Sequence, residues 1–272
     1  MKPLPILITL LALGFFVVTL LTQVGGFLLL FGGLLGFFLF SRRRKVMSFL
    51  FAIIVYTSGL LIIPLIAKPL GRQPLPWQAT SELPIQPRNI GYCLLFRNYV
   101  SEDLVKVLTQ VSSSYNEQYP NEPLDYLDAC FPFVDGFPLL PHLSHDDGNK
   151  IDLCFGYTNT NGKYCQSPSP IGYWIYEPPK KNEYQPCGKS ALRWNFNGLQ
   201  KINRHRHFDL ERTRELVTLF SDHQQVEKLF IEPHLKQRIK NLSDKIRFQG
   251  CRAARHDDHI HCLLYTSPSP RD

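Results

Sequence analysis

Charge is what the opening of this chain lacks. No charged residue stands between Pro3 and Ser41, and no acidic residue comes before Glu82. Cysteine is also missing early: all seven lie at or after Cys93. A wholly soluble protein, a fully disordered one and a collagen-like one are excluded by such long apolar runs. Seven of the 30 basic residues (Lys2, Arg42, Arg43, Arg44, Lys45, Lys68 and Arg72) precede the first acid, leaving 23 basic against 23 acidic residues in the remainder. The net charge of +7 therefore belongs to the apolar region and is not the footprint of a nucleic-acid partner. Several catalytic motifs are absent too. No H-E-x-x-H excludes a zincin, and no G-x-S-x-G excludes a serine hydrolase elbow. Gly188-Lys189-Ser190 has Glu183 where a phosphate-binding loop needs its first glycine. No cysteine pair has C-x-x-C spacing, so neither a cysteine zinc site nor a thioredoxin-like motif is expected.

The uncharged run is too long for one membrane crossing, which takes ~20 residues. Polar residues and paired glycines at Thr22-Gln23-Val24-Gly25-Gly26 suit a turn. Residues 1–70 are thus expected to anchor the chain in a lipid bilayer through two or three transmembrane helices, at 4–21, 27–40 and 46–66. The basic loop Arg42-Arg43-Arg44-Lys45 would stay cytoplasmic. That predicts a multi-pass inner-membrane protein whose catalytic domain lies on the periplasmic side, where cysteines can pair in disulfides. Residues 71–86, rich in proline and polar groups, read as a linker. Residues 87–264 read as the folded domain, and 265–272 as a disordered or artefactual Ser/Pro tail.

Within that domain helix and strand signals mix. Ser101 followed by Glu102 and Asp103 caps a helix to about Tyr115. Residues 209–220 form an amphipathic helix, and Pro233 opens a short one to Leu242. Strands are expected at 128–134, 151–157, 173–176, 226–231 and 259–264. The fold class is α+β: a small antiparallel sheet with flanking helices.

Histidine is placed unevenly. One cluster is Pro141-His142-Leu143-Ser144-His145-Asp146-Asp147-Gly148-Asn149-Lys150-Ile151-Asp152, the other His256-Asp257-Asp258-His259-Ile260-His261. On a strand, His259 and His261 point to one face. Gly148 lets the chain turn between His145 and Asp152. Imidazole and carboxylate together suit zinc, which in catalytic sites takes three protein ligands and leaves one position open. A further H-x-H, His205 and His207, has basic neighbours Lys201, Arg204 and Arg206 and reads as a surface loop. Trp77, Trp174 and Trp194 read as packing residues rather than a substrate groove.

At these two clusters the sequence resembles the penicillin-insensitive murein endopeptidases. They belong to a wider group of zinc peptidases that includes lysostaphin-type and D-Ala-D-Ala peptidases. The resemblance runs from about Cys130 to His261 and includes Val226–Pro233 as strand then helix. It implies a zinc peptidase domain with His145, Asp152 and His261 as zinc ligands and His142 as a further candidate ligand. It implies that His259 assists catalysis and that His256 lines the site as a second catalytic histidine. The implied reaction is hydrolysis of peptide cross-links in peptidoglycan by zinc-activated water. A zinc D-alanyl carboxypeptidase and a non-catalytic wall-binding module of the same fold are the alternatives.

Overall fold

The computed structural model describes residues 3–172, 177–187, 205–240 and 243–265. Leucine- and phenylalanine-rich sequence forms three helices: α1 (Pro3–Thr22), α2 (Gly25–Leu39) and α3 (Arg44–Ala67), the last extended by one 3-10 turn, Lys68–Leu70. The chain reverses between α1 and α2 with Gln23 in the left-handed region (φ 64°), and the Thr22 hydroxyl accepts from the Gly25 N–H at 2.8 Å. α2 and α3 pack backbone to backbone. A Cβ on Gly36 would meet the Met47 carbonyl oxygen at 2.3 Å, and one on Gly32 the Phe51 carbonyl oxygen at 2.4 Å. Only glycine permits that approach.

Helix length corrects the expected membrane topology. Among the described residues, Arg44–Leu70 is the one helix long and apolar enough to cross a membrane. The apolar helical stretches Ile8–Thr22 and Gly25–Leu39 are shorter. Fifteen residues, the length of α2, rise about 22 Å, short of a hydrocarbon core of ~30 Å. The sequence shows a long apolar run, but the turn at Gln23 and the break before Arg44 cut it into pieces of unequal reach. Two or three transmembrane helices, and with them a multi-pass inner-membrane protein with a periplasmic catalytic domain, are therefore not what the structure contains.

The rest of the described chain is α+β. Its main sheet has six strands in the order β2 (Ile85–Pro87), β4 (Leu124–Tyr126), β5 (Lys150–Cys154), β10 (His259–Leu264), β8 (Val226–Phe230) and β9 (Ile246–Arg247). The central pairs β4–β5, β5–β10 and β10–β8 are antiparallel, and the edge pairs β2–β4 and β8–β9 are parallel. Two small antiparallel ribbons flank it: β1 (Arg72–Pro74) with β3 (Tyr99–Ser101), and β6 (Tyr157–Asn159) with β7 (Arg206–Phe208). Helices α4 (Gly91–Leu94), α5 (Glu102–Gln118), α6 (Leu210–Asp222) and α7 (Pro233–Ile239) complete the fold.

Local chemistry sets the helix ends. The Ser101 hydroxyl accepts from the Leu104 N–H at 3.2 Å, and the Asp209 carboxylate from the Arg212 N–H at 3.0 Å. The inner faces of α5 (Leu104, Leu108, Val111) and α6 (Leu216, Val217, Phe220) are buried in one core with Ile151, Leu153, Leu229, Ile260 and Cys262. Alternation along the strands then decides what lies on the other face. Ile260 and Cys262 of β10 join the core, so His259 and His261 point away from it, and Asp152 does the same between Ile151 and Leu153.

Several boundaries differ from the sequence reading. Residues 128–134 form no strand. β4 precedes them, and Cys130 makes only an isolated bridge with Tyr99. The expected strand 151–157 breaks at Gly156, which packs so close to α6 that a Cβ would meet the Arg212 Cβ at 2.6 Å. α7 ends at Ile239, where Lys240 turns left-handed (φ 57°). Within residues 71–86, Leu75 and Ile85 are fully buried. The expected strand 173–176, Trp174, Trp194 and the tail from residue 266 lie outside the described residues. His205 and His207 are exposed, His207 on β7.

The helical region docks on the α+β region. Gln23 accepts from the Phe133 N–H at 2.9 Å and donates to the Val134 carbonyl at 3.1 Å. Ile63 and Ala67 of α3 are buried with Phe96 and Tyr99.

Candidate metal centre

The centre is built where β5 and β10 pair. His261 and Asp152 are directly opposite partners in the register, so their side chains leave the same face of the sheet side by side. The loop between β4 and β5 supplies His142 and His145. It is tied down at Gly148, whose positive φ of 74° and lack of a Cβ leave room for the Arg72 guanidinium. Arg72 is ion-paired with Asp135 in the same loop. A second clamp is more deeply buried. Arg97 donates to both carboxylate oxygens of Asp128, at 2.6 and 2.8 Å, and to the Leu140 carbonyl at 2.7 Å, two residues before His142.

Three ligand atoms converge. His145 Nε2 lies 2.9 Å from His261 Nδ1 and 3.2 Å from Asp152 Oδ1, and His261 Nδ1 lies 2.7 Å from that same oxygen. His145 Nδ1 is 2.8 Å from the Ala129 carbonyl, which can only accept. Nδ1 therefore carries the proton, and Nε2 presents its lone pair to the cluster. The other Asp152 oxygen faces a second pair: Oδ2 is 2.6 Å from His142 Nδ1 and 3.9 Å from His259 Nε2. Two groups sharing Asp152 can thus hold a metal ion, His145/Asp152/His261 and His142/Asp152/His259, with the ligand atoms of each within 4.8 Å of one another.

The donor set fits a divalent cation. Asp152 and the four histidines around it are all buried, and the His261 Nε2 atom has no hydrogen-bond partner. Tetrahedral ligands at about 2.0–2.1 Å from a zinc ion are about 3.4 Å apart, so the His145/Asp152/His261 triangle needs only a small opening to hold one.

Electrostatics follow from this crowding. Burial pushes the Asp152 carboxyl up, but the surrounding histidines outweigh it and hold the group well below the usual carboxylate range. Burial lowers His261 to about 3, only partly offset by Asp152. Burial, reinforced by His259 and His261, holds His256 well below its ordinary value. His259 goes the other way. Burial lowers it, but the Asp258 and Asp152 carboxylates raise it to about 9. His256 belongs to neither metal-holding group, although its ring lies 5.1 Å from that of His259 and 5.5 Å from that of His261.

The structure thus brings both sequence clusters together and leaves His205 and His207 outside. Arg97, Asp128 and Asp258 are given no site role by the sequence reading. Arg97 and Asp128 carry no motif, and Asp258 lay in plain sight inside one. One cysteine pair is bonded, Cys187–Cys251, while Cys93, Cys130, Cys154, Cys165 and Cys262 are free thiols. Cys262 sits inside β10, paired with Ile151 on one side and Leu229 on the other. The buried His/Asp/His cluster is suited to a metal ion and consistent with a zinc-peptidase type of active site. In comparison with known proteins, no family model and no curated protein matches the chain.

Proposed function

We propose that this protein is a zinc-dependent peptidase that hydrolyses peptide cross-links in peptidoglycan. The convergence of His145 Nε2, Asp152 Oδ1 and His261 Nδ1 within 3.2 Å of one another carries the metal-dependent hydrolytic part of this reading. The substrate class rests on the resemblance of the two histidine motifs to murein endopeptidases. His145, Asp152 and His261 would hold the metal, and the chemistry it would supply there is Lewis-acid activation of the scissile carbonyl and of water.

The protein's own residues do the rest. His259 stands on the same strand face as His261, where its Nε2–H would steady the transition state or supply a proton to the leaving amine. His256 shields that histidine from bulk water, and His142 steadies the second Asp152 oxygen. Residues 87–264 carry this chemistry together with β1 and β2, which begin before them and belong to the same fold. The Arg44–Leu70 helix keeps that unit at a lipid surface. The Cys187–Cys251 disulfide fits an oxidising compartment.

The test uses the full chain, purified in detergent and incubated with cross-linked muropeptide dimers. Dimer conversion to monomer, abolished by a chelator and restored by zinc, is the expected result. Release of terminal D-alanine without loss of the cross-link would replace the endopeptidase with a carboxypeptidase. Binding without any hydrolysis by the zinc-loaded protein would reduce the domain to a wall-binding module.

A further inference from the structure

We infer that Asp258 is a positioning residue that decides which ring nitrogen of His259 faces the metal centre. Asp258 is wholly buried, and its Oδ1 lies 2.6 Å from His259 Nδ1. Its other oxygen accepts from the Ser169 hydroxyl at 3.4 Å. The adjacent carboxylate, Asp257, is engaged by the Arg255 guanidinium, so the close partner of Asp258 is the imidazole and not an arginine.

A carboxylate oxygen only accepts. Nδ1 of His259 must therefore carry the proton at this distance, and the ring is held with Nε2 toward Asp152, 3.9 Å from its Oδ2. The consequence is chemical. Nε2, and not Nδ1, is then the atom that His259 presents to the centre. Free of Asp258, the ring could present either nitrogen or turn away. The value of this for turnover rests on the proposed hydrolytic function; the ring's protonation pattern does not.

Two readouts separate these levels. In the metal-free full chain with 15N-labelled histidine, long-range 15N–1H correlations should show His259 Nδ1 protonated whether the ring is charged or neutral. An unprotonated Nδ1 in the native protein overturns the proposal without any variant. Asp258→Ala should release that proton preference, and kcat on muropeptide dimers should fall about 10²-fold. Zinc stoichiometry should be unchanged and KM within about twofold, the signature of lost transition-state stabilisation rather than lost structure. A His259 signal unchanged in Asp258→Ala overturns it. Should that variant fail to fold, Asp258→Leu keeps a similar side-chain size without an acceptor, and kcat within about twofold of native there counts against the proposal. If the native protein hydrolyses nothing, the function falls while the nitrogen spectrum still decides the role of Asp258.

Discussion

In residues 3–70 the large side chains of Phe16, Phe31, Phe38 and Leu61 face outward and glycine backbone lies inside. In residues 72–265 Leu153, Leu229 and Ile260 lie inside, and beside them are buried His145, Asp152, His259 and His261. The first region is held by close backbone approach and needs apolar surroundings for its exterior. The second has taken polar groups out of water, which is costly unless each finds a partner. Specificity in the helical region is thus a matter of shape. In the α+β region it is a matter of satisfying charge, and a metal ion is the natural means.

Removing the shared carboxylate tests that contrast most severely. Asp152→Ala should lose bound zinc and hydrolysis, by far more than the about 10–100-fold that loss of an outer partner costs. Elemental analysis of the purified variant checks it, and zinc retained at one ion per chain would break the contrast. Next in size is the buried Arg97–Asp128 pair. Arg97→Met takes the guanidinium away from the buried Asp128 carboxylate, which should cost about 3–5 kcal/mol in denaturant unfolding. It should also weaken zinc binding, because the Leu140 carbonyl loses its anchor beside His142.

Gly36→Val addresses the other region. Its added side chain meets the Met47 backbone and should cost about 1–3 kcal/mol by overpacking. Zinc content should stay unchanged, so thermal melting and elemental analysis on one sample separate shape from charge.

In the metal-free protein, His261 and His259 give stability opposite slopes in pH. His261, held at about 3, is stabilising when neutral, so its contribution is full above pH 6.5 and is lost as pH falls toward 3. His259, raised to about 9, is stabilising when charged, so its contribution is full below 6.5 and is lost as pH rises through 9. Melting temperature in chelator should therefore peak near pH 6.5, and His259→Gln should flatten the alkaline side. The smallest effect is expected where the two regions meet. Gln23→Ala removes hydrogen bonds to Phe133 and Val134 and should cost about 0.5–1.5 kcal/mol. Faster amide exchange at those two residues would report it.

The sequence made the centre legible because its residues sit in two short, dense clusters on strands whose alternation can be counted. The helices α5 and α6 were legible for the same reason, through their caps and apolar stripes. Three-residue strands such as β1, β2 and β3 were not, since so short a pairing leaves no period to read. Gly156 ended a strand for a reason found in α6, more than 50 positions away, and no local pattern encodes that contact. Arg97 and Asp128 are 31 residues apart and meet only in the folded chain. Span length misled because hydropathy counts apolar residues, while a crossing depends on unbroken helix.

β10 lies at the middle of the sheet, although it follows β5 by a long stretch of chain. Asp152 and His261 are separated by 109 residues. At about 5–20 residues per second, a ribosome finishes the second ligand roughly 5–20 s after the first. Throughout that interval the nascent polypeptide holds His145 and Asp152 without His261, and the three-ligand set closes only when β10 pairs with β5.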